Sequence, residues 1–234
     1  MRFSRWRAAG NEYLLAERAE LGTALTPARV RAEVAGADGI LEVVAVEDDV
    51  AEIVIWNPDG STAELSGNGT RIAASWLAER AGVDEVTIRV GPRLVQARVR
   101  GDGHVEQDLG EVAVHERERI AGLEVVPVSV GNPHAVVLGD PADLPLIGPL
   151  LETHPRFPNR TNVQVARVDG PGRVTARVWE RGVGETLSSG TSAVAVAAAT
   201  HGHGEVLVSF PGGDLRVEIA GGRARLTGPV ERVE

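Results

Sequence analysis

"ELSGNGTRIAASW", Glu64 to Trp76, and "TLSSGTSAVAVAAA", Thr186 to Ala199, share one pattern: a strand-like lead, a serine followed by glycine, more small residues, then an apolar run. Ser66 and Ser189 hold equivalent places in it, 123 residues apart. Trp56 and Trp179, and Asn57 and Glu180, are separated by the same interval, and "GNEYLL" at Gly10 returns as "GNPHAVVL" 121 residues later at Gly131. The hairpin "VGPRLVQARVRGDG" has its counterpart in "FPGGDLRVEIAGG". Three matches in one order at nearly constant spacing point to a duplicated domain, and two copies are too few for a solenoid.

Between these markers run alternating or β-branched stretches such as "VAEIVIWN", "EVTIRV", "NVQVARV", "RVTARVW" and "EVLVSF", separated by glycine-rich turns suited to hairpins. Helical signals are fewer: Thr26 to Val34, Gly69 to Arg80 with Gly82 as a stop, and Ser192 to Thr200. The last is apolar on every face, so it belongs inside something. The expected fold class is therefore α+β, with two similar lobes, each a mostly antiparallel, barrel-like sheet wrapped around one central helix. Residues 1–115, joined by 227–234, form the first lobe and residues 116–226 the second.

Composition excludes several functions. The formal charge is −9, all 24 cations are arginines, and these are scattered rather than gathered in a stripe, which argues against nucleic acid as a partner. No apolar run approaches the roughly 20 residues that span a bilayer, and "MRFSRWRAAGNEY" lacks the apolar region of a signal peptide, so a cytoplasmic protein with no membrane partner is expected. There is no cysteine, which removes disulfides, thiolate metal sites and thiol catalysis together. "HGHGE" at His201 has no third ligand in sequence reach and reads as a helix C-cap rather than a metal site. Neither Ser66 nor Ser189 lies in a nucleophile elbow, and "GNGT" lacks the lysine of a P-loop.

Each Ser-Gly stretch sits between a strand and the start of a central helix. Backbone N–H groups at a helix start favour an anion such as a carboxylate. Two equivalent serines reaching one ligand from related lobes would address opposite faces of a single carbon, which is what inversion of a stereocentre by two-base proton transfer needs. Taken singly, each serine also reads as an ordinary N-cap whose hydroxyl accepts a backbone N–H.

"GNEY", "GADG" at Gly36, "NPDGS" at Asn57, "ELSGNGTR", "GNPH" at Gly131, "NRTNV" at Asn159, "ERGVGETLSSGT" and "LTGPV" together closely resemble the diaminopimelate epimerases over essentially the whole chain. That resemblance implies a cofactor-independent amino-acid epimerase, commonly a homodimer, acting on a small-molecule amino acid in the lysine and cell-wall precursor route. It implies substrate contacts at Asn11, Asn57, Gly67, Asn68, Asn132, Asn162, Glu180, Arg181, Gly190 and Thr191. Backbone N–H groups around Gly67, Asn68, Gly190 and Thr191 would hold the reacting α-carboxylate, Arg181 the distal carboxylate, and the asparagines with Glu180 the ammonium groups. His134 and Glu180 match residues thought to bias the two catalytic groups. Any one of the asparagines, met alone, reads as a turn residue.

The pattern is broken where it matters most. The family's two catalytic cysteines fall on Ser66 and Ser189, and an alcohol is less acidic than a thiol by about five pKa units, roughly 7 kcal/mol. Ile72 replaces another frequent cysteine, "GTSA" stands where "GTGA" is usual, and Gly39 takes a position often held by a glutamine contact. The chain is also shorter than typical members. Three readings follow: retained diaminopimelate epimerisation; a serine-based epimerase, isomerase or dehydratase for another amino acid such as hydroxyproline; or an amino-acid-binding homologue or Cys-to-Ser variant without turnover.

Overall fold

The structure is a computed structural model that describes residues 3–233. It divides into two compact units, Met1–Asp108 with Gly228–Glu234, and Leu109–Thr227. The first division falls ahead of residue 115, because one strand carries the chain through the boundary.

The first unit is built from β1 (Ser4–Ala8), β2 (Asn11–Glu17), α1 (Pro27–Glu33), β3 (Gly39–Glu47), β4 (Val50–Trp56), β5 (Thr62–Ala63), α2 (Gly67–Ala81), β6 (Glu85–Val90), β7 (Arg93–Val99) and β8 (His104–Glu111), which crosses the boundary. The second holds β9 (Ala113–Val114), β10 (Glu118–Ile120), β11 (Leu123–Ser129), β12 (Pro133–Leu138), α3 (Leu144–Glu152), β13 (Asn162–Gly170), β14 (Arg173–Glu180), β15 (Gly184–Thr186), α4 (Gly190–Thr200), β16 (Gly204–Phe210), β17 (Gly213–Ala220) and most of β18 (Arg223–Pro229), which crosses the second boundary. The short β19 (Glu231–Arg232) returns to pair with β1.

The duplication extends to strand register. β2 pairs with β3 in parallel, with Tyr13 opposite Gly39, and β12 pairs with β13 in parallel, with His134 opposite Asn162. In the antiparallel pairs that follow, Ile40 faces Trp56 and Val163 faces Trp179. β4 and β6 are parallel, as are β14 and β16. Each unit is thus mostly antiparallel with two parallel pairs, each parallel pair bridged by a helix as such crossovers require.

α2 packs against β1, β2, β4, β6 and β7, and α4 against β11, β12, β13, β14, β16 and β17. This enclosure explains why residues Gly190 to Ala198 are all buried and why α4 carries no polar stripe. α2 begins at the Ser66 cap and ends at Gly82, whose left-handed φ of 69° lets its N–H reach Ala78 O at 2.9 Å. Ile72, Ala73 and Leu77 fill the first core with Ile53, Ile55 and Ile88. Ile72 is fully buried there, so the position is one of packing and not of chemistry.

α3 has no helical signature in "LPLIGPLLE", because Pro145, Gly148 and Pro149 read as breakers. Tertiary packing overrides them. Leu144 and Leu151 pack on Val163 and Val165, and a side chain at Gly148 would meet the Trp179 ring at 2.8 Å. The two equivalent tryptophans each donate an indole N–H to a buried glutamate: Trp56 to Glu42 at 3.0 Å and Trp179 to Glu152 at 2.7 Å. No helix among the described residues is long and apolar enough to cross a membrane. His201 stands as the C-cap of α4, its N–H on Ala197 O at 2.9 Å.

Candidate active site

In the first unit the site residues gather where β2 meets the start of α2. Ser66 is half-buried and extended, and its Oγ accepts the Gly69 N–H at 3.0 Å. The same oxygen lies 3.2 Å from the Tyr13 hydroxyl. The first helical turn is stiffened from behind: Thr70 Oγ1 is 2.9 Å from Gln107 Oε1, and Gln107 Nε2 donates to Gly67 O at 3.0 Å. Gly67 and Asn68 are buried. Asn11 is buried on β2, two residues from Tyr13 and therefore on the same face of the strand.

Tyr13 occupies its place because Gly39 has no side chain. A Cβ at Gly39 would lie 2.5 Å from Trp56 O and 2.8 Å from the Tyr13 ring. Behind Asn68 lies Arg71, fully buried, whose Nη2 donates to Asn68 Oδ1 at 2.6 Å. Its Nε and Nη1 have no hydrogen-bond partner among the described residues, and no carboxylate among them pairs with it. Burial pulls its pKa down to about 9, and an anionic Tyr13 would raise it again. It stays a cation at neutral pH.

Asn57 follows β4 in a turn, next to Trp56, whose carbonyl lies over Gly39. The Asn57 N–H donates to Ser61 O at 2.8 Å and its side-chain amide to Ser61 Oγ at 3.0 Å.

The second unit places the equivalent residues around the start of α4. Ser189 is buried and extended, but its hydroxyl makes no capping hydrogen bond. His134, the counterpart of Tyr13, is fully buried with both ring nitrogens engaged, Nε2 with Asn132 Oδ1 at 2.9 Å and Nδ1 with Gln164 Nε2 at 3.1 Å. Since the Gln164 amide donates to Nδ1, the ring proton sits on Nε2 and is given to Asn132. Burial, aided by the nearby Arg181 charge, lowers the His134 pKa to about 3, so the imidazole is neutral. Gln164 Nε2 also donates to Ser192 Oγ at 2.9 Å. The serine in "GTSA" thus helps orient the amide that holds His134.

Asn132 Nδ2 reaches Thr191 Oγ1 at 3.4 Å, tying the Gly-Asn turn to the first turn of α4, beside Gly190. Asn162 donates to Pro133 O at 3.0 Å and accepts the Arg181 N–H at 3.0 Å. Glu180 Oε1 accepts the Thr186 hydroxyl at 2.7 Å, and the Arg181 guanidinium lies 3.5 Å from Asn159 O. Thr191, Asn132 and His134 are in this way linked in one chain of hydrogen bonds, and Asn162 ties Pro133 to Arg181 in another.

Sequence reading passed over Tyr13, Arg71, Gln107 and Gln164. Arg71 left one signal: a charged residue between "GNGT" and an apolar helical run, where every neighbour points inward. The glutamines left none, since either would suit an exposed strand position.

The family model described as diaminopimelate epimerase matches residues 13–115 and 126–233. A diaminopimelate epimerase from Synechocystis sp. is 35% identical, covering 99% of this chain and 96% of its own length. Another from Rhodospirillum centenum is 36% identical, covering 98% of this chain and 89% of its own. A solved hydroxyproline epimerase from Agrobacterium vitis, with trans-4-OH-L-proline bound, shares the fold with a TM-score of 0.75 at 18% identity, covering 99% of this chain and 90% of that one. From its repeated helix starts to its closing strand, the chain belongs to the diaminopimelate epimerase family, and it is an isomerase of the epimerase type.

Proposed function

We propose that the chain interconverts LL- and meso-diaminopimelate without a cofactor, in the lysine and cell-wall precursor route, with Ser66 and Ser189 as the two proton-transfer groups. The observation that carries this reading is the pair of serine-headed helix starts, at matching positions in two copies of one unit, in a chain that aligns with diaminopimelate epimerases over nearly its whole length. The N–H groups of Gly67, Asn68, Gly190 and Thr191 suit the α-carboxylate, stabilising the charge that develops when the α proton leaves. Arg181 takes the distal carboxylate, and Glu180 with Asn11, Asn57, Asn132 and Asn162 takes the ammonium groups. The reading requires both serines to address one α carbon from opposite sides.

Incubation with LL-diaminopimelate in deuterated water tests it: the meso isomer should accumulate with deuterium on the inverted α carbon. Tight binding with no exchange would overturn it in favour of a binding protein. A second reading, a serine-based epimerase or dehydratase for another amino acid such as hydroxyproline, is favoured by the alcohols at both positions. Exchange or keto-product formation with hydroxyprolines, and none with diaminopimelate, would select it.

A further inference from the structure

The core of the first unit holds one charge too many. Arg71 is fully buried, has a single hydrogen bond, to Asn68, and faces no carboxylate among the described residues. A lone buried cation is costly unless an anion comes to it. Among the described residues, Glu42 is the only buried carboxylate of this unit, and it is engaged elsewhere. Glu42, on β3, is bound to Arg18 at 2.7 Å and to the Trp56 indole. Glu12, beside Tyr13 on β2 but on the opposite face, is bound to Arg5 and Arg7, and Asp38 receives the Glu12 N–H at 2.8 Å. On β1, β4, β6 and β7, the elements that also pack on α2, every buried side chain is apolar. The buried group left that can become an anion is the Tyr13 phenol, which contacts Ser66.

We propose that Tyr13 is the titrating partner of Ser66: as the phenolate it takes the Ser66 hydroxyl proton while Ser66 Oγ takes the α proton of the substrate, and Arg71 is the counter-cation that holds the phenolate in the core. The mechanistic half of this rests on the epimerase reading above. The Cα–H bond breaks and its electron pair stays on carbon, delocalised into the adjacent carboxylate. The Ser66 O–H bond breaks as the Tyr13 O–H bond forms, and Ser66 ends as the hydroxyl it began as. One proton has moved from Cα to Tyr13, and the reverse sequence returns it. A phenol, with an ordinary pKa of about 10, replaces an alcohol as the group whose basicity matters. Gly39 is part of the device, since any side chain there would displace the Tyr13 ring. The Gly69 N–H on Ser66 Oγ leaves the serine proton free to point at Tyr13.

Tyr13 is the only tyrosine in the chain, so tyrosinate absorbance reports on it alone. The titration needs no substrate and is independent of which amino acid is turned over. In the folded protein, verified by circular dichroism at each pH, the midpoint should lie below about 10. Arg71→Met should raise it by about 1 to 3 pH units, and Arg71→Lys should restore most of the shift. A midpoint at or above about 10 in the unaltered protein overturns the proposal whether or not the variants fold. So does a midpoint that Arg71→Met leaves unmoved in a folded protein. If the titration succeeds and diaminopimelate shows no exchange, the pair exists and the substrate assignment is what failed. If exchange occurs, Tyr13→Phe should abolish the pH dependence of kcat/KM set by this midpoint and slow exchange at least about tenfold, as removal of a general base does. Retention of the same pH profile in Tyr13→Phe would overturn the relay.

Discussion

Ser66 and Ser189 stand at the same place in two copies of one unit, and their surroundings have diverged in a matched way. At the first helix start Tyr13 lies over Gly39, Leu41 lies against Gly69, and a cation is buried at Arg71. At the second, the corresponding positions are His134 with Asn162, Gln164 with Ser192, and Val194. The first start thus combines one phenol, one capped serine and one unbalanced charge with the buried amides of Asn11, Asn68 and Gln107. The second is a network of neutral hydrogen bonds in which Gln164 Oε1 is left without a partner among the described residues, with an uncapped serine at its edge. Duplication preserves a backbone because register and core pattern must be kept. It leaves pairs of facing side chains free to change together, provided both members change. A Ser192-like side chain at Gly69 would press on Leu41 at 3.0 Å, whereas opposite Gln164 it gains a hydrogen bond.

The widest test of this asymmetry restores the thiols. Ser66→Cys with Ser189→Cys should raise diaminopimelate epimerisation by two or more orders of magnitude, since a thiol is more acidic than an alcohol by about five pKa units. Of the single variants, Ser189→Cys should gain more, because Ser189 has no phenol beside it. Deuterium incorporation from each isomer measures this, and equal gains would break the comparison.

Next in size is the buried charge. Val194→Arg should cost more than about 3 kcal/mol, because Val194 is fully buried among apolar residues of α4 and a charge there would be taken out of water. Arg71→Met, by contrast, should leave stability within about 1 kcal/mol of the original, since it removes a charge that no carboxylate repays. Urea unfolding of the two variants gives both numbers.

The pH dependence of stability should carry the mark of the second unit. His134 takes up a proton near pH 6.5 when unfolded and only near 3 when folded, so the unfolded chain binds the extra proton in between. Stability should therefore fall as the pH drops through that window and level off below it. His134→Gln should flatten the fall, which urea midpoints in neutral and mildly acidic buffer would show. An unchanged slope would mean that the imidazole network opens.

The smallest contrast lies in the caps. Ser66→Ala should cost about 1 kcal/mol, the usual value of an N-cap hydrogen bond, and Ser189→Ala only a few tenths, since it caps nothing. Thermal or urea unfolding resolves the difference.

Much of this was legible from residues alone. The repeat, the two central helices, the buried character of α4 and the two serines at helix starts follow from apolar periodicity and capping chemistry, which are local and act wherever the chain goes. Helix α3 was not legible, because Pro149 and Gly148 disfavour a helix interior locally, and packing against Val163, Val165 and Trp179 overrides them. The parallel pairs were hidden too, since a strand's own pattern does not name its partner.

At the site, sequence determined which side chains were available: serine where a thiol is usual, glycine at position 39, a lone tyrosine and one arginine in an apolar helix. Tertiary structure alone decided what they do to each other. It set the Tyr13 hydroxyl against Ser66, left Arg71 without an anion, and spent both nitrogens of His134. Burial and hydrogen bonding across distant segments set the charge state of a group, and neither quantity exists until the strands close around the helix.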